Sequence, residues 1–112
     1  MDITFKTRKL ANICNSQKEC ERHFGIGRAK RLTRRLDDLR AAICLEDISR
    51  LPPARCHELT GNRSGQLSID LDHPYRLIFV VANDPIPVRT DGGLDWSKVT
   101  AVQVLGVEDT HG

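Results

Sequence analysis

The apolar residues change from helical to strand-like spacing near the middle of this chain, and that change limits the fold class. From Ser16 the spacing is helical. Pro52-Pro53 is predicted to end this region, because proline denies the backbone a hydrogen-bond donor and restricts the residue before it. Five apolar residues in this part would share one stripe of a helix: Ala29, Leu32, Leu36, Leu39 and Ile43. After the prolines, apolar and polar residues alternate, which is the period of a β-strand.

Strand-like segments occur at both ends of the chain. Ile3 and Phe5 alternate with polar residues and predict a short first strand. Leu67 to Leu71 and Tyr75 to Val81 predict a hairpin with a turn at residues 72–74. Residues 99–107 are apolar on both faces, as expected of a central strand, and this strand is predicted to end at Gly106.

This order predicts one domain, residues 1–112, of the α+β class. The N-terminal strand and the helices would pack on one face of a small, twisted, antiparallel-rich sheet. In the hairpin, Leu77 and Phe79 would face the helices. Arg76 would then lie on the open face with Ser68 or Asp70.

Two features leave alternatives open. Gly25 and Gly27 either separate two helices or kink a single long one. Residues 82–98 show no regular period and are predicted to form a long loop. Trp96 in this loop either anchors it to the body of the protein or meets a partner, and we favour the anchor.

Charge is distributed unevenly along the sequence. Residues 1–40 contain eleven Lys/Arg and five Asp/Glu, whereas residues 41–112 contain six and ten. A basic half suits a polyanion such as nucleic acid, although a solvated helix face explains the charge equally well. No run approaches the roughly 18 apolar residues of a membrane span, and the first residues lack the apolar segment of a signal peptide. A cytoplasmic location is therefore predicted.

The cysteine pattern does not predict a metal site or any other cofactor. Cys14, Cys20, Cys44 and Cys56 contain no CxxC pair and match no zinc spacing. We expect reduced thiols, some of them buried.

Several polar residues are of the types that cleave RNA without a metal. A base must take the 2′-hydroxyl proton, a cation must stabilise the phosphoryl oxygens, and an acid must protonate the leaving oxygen. Histidine can fill either proton role, and the arginine fork suits phosphate. His57, His111, Asp109, Arg63 and Arg76 are candidates, but spacing alone describes ordinary surface residues equally well.

Three motifs resemble the RelE/ParE superfamily of toxins, in the branch called HigB or plasmid-maintenance killer protein. They are the pattern His57-x-Leu59-x-Gly61-x-Arg63-x-Gly65, the strand Arg76-Leu77-Ile78-Phe79, and the ending Glu108-Asp109-Thr110-His111. The resemblance implies a microbial RNase fold and metal-independent cleavage of mRNA in the ribosomal A site. It also implies a cognate antitoxin encoded adjacently, usually with a helix-turn-helix domain. DNA would be contacted only through this antitoxin.

The resemblance also implies roles for individual residues. The catalytic residues would be His57, Arg76, Asp109 and His111. The RNA-binding residues would include Arg63, Thr60 and Thr110, and the basic helix predicts Arg28, Arg31, Arg34 and Arg35 as further ones.

Two positions depart from the family pattern. Thr110 stands where relatives carry tyrosine, and Thr60 where they often carry lysine. The alternative is therefore a toxin-fold binding module with weak or no nuclease activity, acting through its antitoxin or another target such as gyrase.

Overall fold

Three helices pack on one face of a five-stranded sheet in a computed structural model that describes residues 1–109. The helices are α1 (Arg8–Cys14), α2 (Gln17–Phe24) and α3 (Ile26–Ala41). The strands are β1 (Asp2–Phe5), β2 (His57–Glu58), β3 (Gln66–Asp70), β4 (Tyr75–Val81) and β5 (Ala101–Asp109). Their order is β1-β5-β4-β3-β2, in which only the β1–β5 pair is parallel. The predicted α+β class is confirmed.

The helices begin and end where the sequence supplies caps. The Ser16 side chain accepts a hydrogen bond of 3.2 Å from the backbone N–H of Glu19 at the start of α2. Gly25 ends α2 at a φ of +83°, a conformation that favours glycine, and α3 follows at once. Gly27 lies inside α3. Of the two alternatives for these glycines, separate helices are therefore correct.

The apolar stripe of α3 is shorter than predicted. Ala29, Leu32, Leu36 and Leu39 are buried against the sheet, but α3 ends at Ala41. Ile43 is 83% exposed, so its assignment to the stripe was wrong. Asp47 accepts hydrogen bonds from the N–H groups of Ile43 and Cys44, and these bonds support an extended turn where a further helical turn was predicted. The helical region therefore ends well before Pro52-Pro53.

The hairpin forms as predicted and carries the core. β3 and β4 pair in register, with Leu67 opposite Phe79 and Ile69 opposite Leu77. These four side chains are at most 1% exposed and belong to the core cluster that includes the α3 leucines. Leu77 and Phe79 therefore face the helices.

The last strand is longer than predicted. A β-bulge opposite Ile78 and Phe79 shifts the β4–β5 register, and pairing continues as far as Tyr75 with Asp109. The prediction that the strand ends at Gly106 was wrong, because the bulge accommodates the extra residue without ending the ladder. Asp109 therefore belongs to the sheet.

Trp96 anchors the loop between β4 and β5, as we favoured. Its side chain is 6% exposed, and its Nε1–H donates to Glu58 Oε2 at 3.1 Å. The Arg50 guanidinium lies 3.9 Å from the centre of the indole ring, a cation–π contact. These contacts fix the C-terminal part of the loop beside β2.

Candidate functional site

The face of the sheet away from the helices carries polar side chains in two rows, the first of which also contains Ile78 and Gly106. Strand pairing places His57, Ser68, Ile78 and Gly106 in one row across β2, β3, β4 and β5. The next row contains Asp70, Arg76 and Glu108. Paired residues of neighbouring strands share a face, so His57 and Arg76 lie on the same face of the sheet, with β3 between their strands. We call this face the open face.

The hydrogen bond of His57 defines its tautomer. Its Nδ1 lies 2.9 Å from the backbone oxygen of Arg55, and a carbonyl oxygen can only accept a hydrogen bond. In the neutral ring the hydrogen is therefore on Nδ1, and Nε2 carries a lone pair. Arg55 adopts a φ of +47°, which is rare for a residue with a side chain, in the turn that leads to His57. The half-buried imidazole is held as a proton acceptor.

Arg76 is on the open face, as predicted, but it is paired. Its Nε lies 3.3 Å from Asp70 Oδ1, and the side chain is 16% exposed. The other oxygen of Asp70 lies 3.4 Å from an Nη of Arg55. Glu108 stands opposite Arg76 on β5. The predicted phosphate-binding arginine therefore lies between two acidic residues.

The side chain of Arg63 crosses the row that contains Ser68. Its Nη1–H donates to Gln66 Oε1 at 2.9 Å, and its Nη2–H donates to the Glu108 carboxylate. Gln66 and Glu108 lie on either side of the Ser68 row, so the guanidinium lies over that row. Ser68 is fully buried despite its place on the open face, and its hydroxyl has no hydrogen-bond partner among the described residues. The hydrogen bond to Glu108 raises the pKa of Arg63.

The terminal motif is only partly described. Asp109 pairs with Tyr75, so the alternation of β5 places it on the helix side of the sheet and Glu108 on the open face. The structure does not bring Asp109 together with His57 and Arg76. Thr110 and His111 lie outside the described residues. Thr60 is exposed immediately before the turn that carries Arg63.

The four predicted arginines of α3 lie on the other side of the molecule and fall into two groups. Arg28 donates to both oxygens of Asp72 at 3.0–3.2 Å and stacks on Tyr75, with its guanidinium carbon 3.5 Å from the ring centre. This interaction holds the pKa of Asp72 below its usual value. Arg35 pairs with Asp38 at 2.8 Å. The other two, Arg31 and Arg34, are exposed and form no ion pair within residues 1–109.

The cysteines are free thiols, two of them buried, as predicted. Burial raises the pKa of Cys56 to about 12 and that of Cys14 to about 11, so neither is a thiolate nucleophile at neutral pH. Within residues 1–109, no group of three or more His, Cys, Asp or Glu side chains could hold a metal ion. Over the same range, no helix is long and apolar enough to cross a membrane.

Sequence reasoning missed the ion pair between Arg63 and Glu108. The alternation of β3 and β4 predicted that Asp70 or Ser68 would lie beside Arg76, but it gave no signal for Glu108. Glu108 reaches Arg63 because of the bulged β4–β5 register, a long-range feature.

The chain is thus a small α+β protein whose open sheet face carries a histidine and paired arginines. Its sequence matches no protein-family model and no curated protein.

Proposed function

We propose that the chain is the toxin of a type II toxin–antitoxin system, with a RelE/ParE-like fold of the HigB branch. It acts in the cytoplasm as a metal-independent endoribonuclease that cleaves mRNA on the ribosome and so inhibits translation. The observation that supports this most is the sharing of the open face by His57, with its Nε2 free to accept a proton, and Arg76.

The proposed reaction uses side chains only. His57 Nε2 takes the proton of a 2′-hydroxyl, whose oxygen attacks the adjacent phosphorus. Arg76, and Arg63 once it leaves Glu108, stabilise the charge on the phosphoryl oxygens. The bond from phosphorus to the 5′-oxygen breaks, and an acid, His111 by resemblance, protonates that oxygen. The products are a 2′,3′-cyclic phosphate and a 5′-hydroxyl. Asp109 takes no proton-transfer step here because its register separates it from His57.

The proposed partners follow from the resemblance. They are the ribosome with its mRNA, and an antitoxin encoded adjacently that neutralises the toxin and contacts DNA through a helix-turn-helix domain. An adjacent small gene of that kind would support the assignment.

A second function is favoured by the ion pairs on the open face. Arg76 and Arg63 are already bound to carboxylates, so an incoming phosphate must compete with Asp70 and Glu108. A protein of this fold with little or no nuclease activity, acting through its antitoxin or another target such as gyrase, would have the same open face.

Mapping of mRNA 5′ ends after inducible expression separates the two functions. We expect new 5′ ends within translated regions for the wild type and far fewer for Arg76→Gln. The matched control is Arg89→Gln, because Arg89 is an exposed loop arginine that also pairs with an aspartate. Growth arrest without new 5′ ends in the wild type would favour the second function.

The exposed arginines of α3 are expected to contribute to ribosome binding. Each lost phosphate contact on double-stranded RNA should weaken ribosome binding. It should also reduce the slope of log K against log salt concentration by about 0.9, the value per phosphate for duplex DNA. Co-sedimentation of the Arg31→Gln/Arg34→Gln variant with ribosomes across a salt series measures both effects.

The control for this prediction is Arg28→Gln. Arg28 is held by Asp72 and Tyr75, so its loss should lower thermal stability and leave ribosome binding almost unchanged. Equal loss of binding in both variants, or in neither, would contradict an RNA-docking role for Arg31 and Arg34.

A further inference from the structure

The ion pair between Arg63 and Glu108 spans part of the open face of the sheet. Arg63 lies in a short turn between Gly61 and Gly65, both of which adopt positive φ, and its side chain reaches across the sheet to Glu108 on β5. The side chains of Arg63 and Glu108 are 34% and 42% exposed, so water reaches both partners. Both partners are more exposed than Arg76 and Asp70, whose side chains are 16% and 21% exposed.

The row beneath the pair contains the apolar, fully buried Ile78 and one unsatisfied polar group, the hydroxyl of Ser68. The Ser68 hydroxyl is fully buried there without a hydrogen-bond partner among the described residues. Gly106, in the same row, leaves open space, since a Cβ built on it would meet nothing within 4 Å. A buried hydroxyl without a partner is costly and rare in native proteins. It is explained if a ligand oxygen reaches Ser68 when the guanidinium moves.

Asp70 cannot play the same part as Glu108. It is 21% exposed and contacts both Arg76 and Arg55, so two cations hold it in place. Its backbone N–H also donates to the oxygen of Ala54, which ties β3 to the preceding loop. Loss of the Asp70 carboxylate would leave both Arg76 and Arg55 without their acidic partner, whereas Glu108 makes its side-chain contacts with Arg63 alone among the described residues.

We propose that Glu108 is an internal counterion that occupies the phosphate site of Arg63 until RNA replaces it. This inference takes its ligand, RNA, from the proposed function. When a phosphate takes the place of the carboxylate, the guanidinium lifts from the Ser68 row and the hydroxyl donates to a phosphate oxygen. Glu108 thereby inhibits the site in the free protein and limits its affinity for anions.

The exchange is feasible because the two anions offer the same geometry. Arg binds carboxylate and phosphate with the same two-pronged fork of N–H groups. A solvent-exposed ion pair is typically worth no more than about a fivefold change in equilibrium. A phosphate therefore competes with Glu108 at a small penalty.

The test uses binding of RNA that cannot be cleaved. A fluorescently labelled, single-stranded 2′-O-methyl RNA lacks the attacking hydroxyl, and its binding is followed by fluorescence anisotropy over a salt series. In the wild type, an RNA phosphate that binds Arg63 releases the Glu108 carboxylate beside it. The positive charge of Arg63 is then offset by Glu108, so little of the phosphate charge is neutralised. In Glu108→Gln one more phosphate is neutralised, so binding should be roughly two- to fivefold tighter at physiological salt. The slope of log K against log salt concentration should be steeper by about 0.7.

Two further comparisons show whether the effect passes through Arg63. Arg63→Gln should weaken RNA binding several-fold in the Glu108→Gln background and far less in the wild-type background. Glu46→Gln is the matched control, because Glu46 is an exposed acid outside the open face and its loss makes the same change in net charge. Ser68→Ala should reduce the gain given by Glu108→Gln.

Equal affinities and slopes for Glu108→Gln, Glu46→Gln and the wild type would overturn the inference, as would an Arg63 effect of the same size in both backgrounds. These outcomes are distinct from failure of the proposed function. If the wild type cleaves mRNA in cells but Glu108→Gln does not change RNA binding, only the counterion proposal is contradicted. If Glu108→Gln binds RNA more tightly but no mRNA is cleaved in cells, the anion site is supported and the nuclease activity is contradicted.

Discussion

Replacing Phe79 with alanine is expected to lower the free energy of unfolding by about 3–5 kcal/mol, the range for truncating a fully buried aromatic residue. Phe79 is the largest of the fully buried side chains among the described residues. It lies in the middle of β4, with Leu67 opposite on one side and Val104 on the other. Because neighbouring strands hold the backbone on both sides, the site has little freedom to collapse into the cavity.

Urea denaturation followed by circular dichroism measures this loss. Ile86→Ala is the control, because Ile86 is a 56% exposed apolar residue in the loop between β4 and β5. Surface truncations of this kind usually change stability by about 0.5 kcal/mol or less. A loss of stability for Phe79→Ala no larger than that for Ile86→Ala would show that the core is not centred on β4.

The hairpin was predictable because its signals are local. The alternation of β3 and β4 and the turn at residues 72–74 specify a register, and that register alone places Leu77 toward the helices and Arg76 on the open face. Capping residues such as Ser16 likewise act within one turn of their own helix. Those parts of the fold and of the site therefore follow from short stretches of sequence.

The error at Ile43 has a local cause, a competing side chain four residues away, and the errors at β5 have distant causes. Ile43 fits the helical stripe of α3, but the Asp47 carboxylate captures its N–H group and turns the chain away. Asp109 was predicted to be catalytic, but the bulge in the β4–β5 ladder places Glu108, and not Asp109, on the open face. Periodicity carries no information about a bulge or about a contact across 45 residues, such as that between Arg63 and Glu108.

His57→Ala is expected to lower the rate of RNA cleavage by about a hundredfold or more, which is the usual effect of removing a group that transfers a proton. The imidazole is held by its hydrogen bond to the Arg55 carbonyl, so alanine removes a positioned acceptor and leaves the sheet almost unchanged. Single-turnover cleavage of ribosome-bound mRNA measures the chemical step without product release.

The matched control for His57→Ala is His23→Ala, because His23 is an exposed histidine on α2, on the helix side of the sheet. If His57→Ala cleaves RNA at the full rate, His57 takes no part in the chemical step. A lost rate with unchanged binding of 2′-O-methyl RNA identifies proton transfer as the missing step, because that RNA contacts the open face but has no 2′-hydroxyl proton to give. If binding falls as much as the rate, His57 positions the RNA and the base must be sought elsewhere.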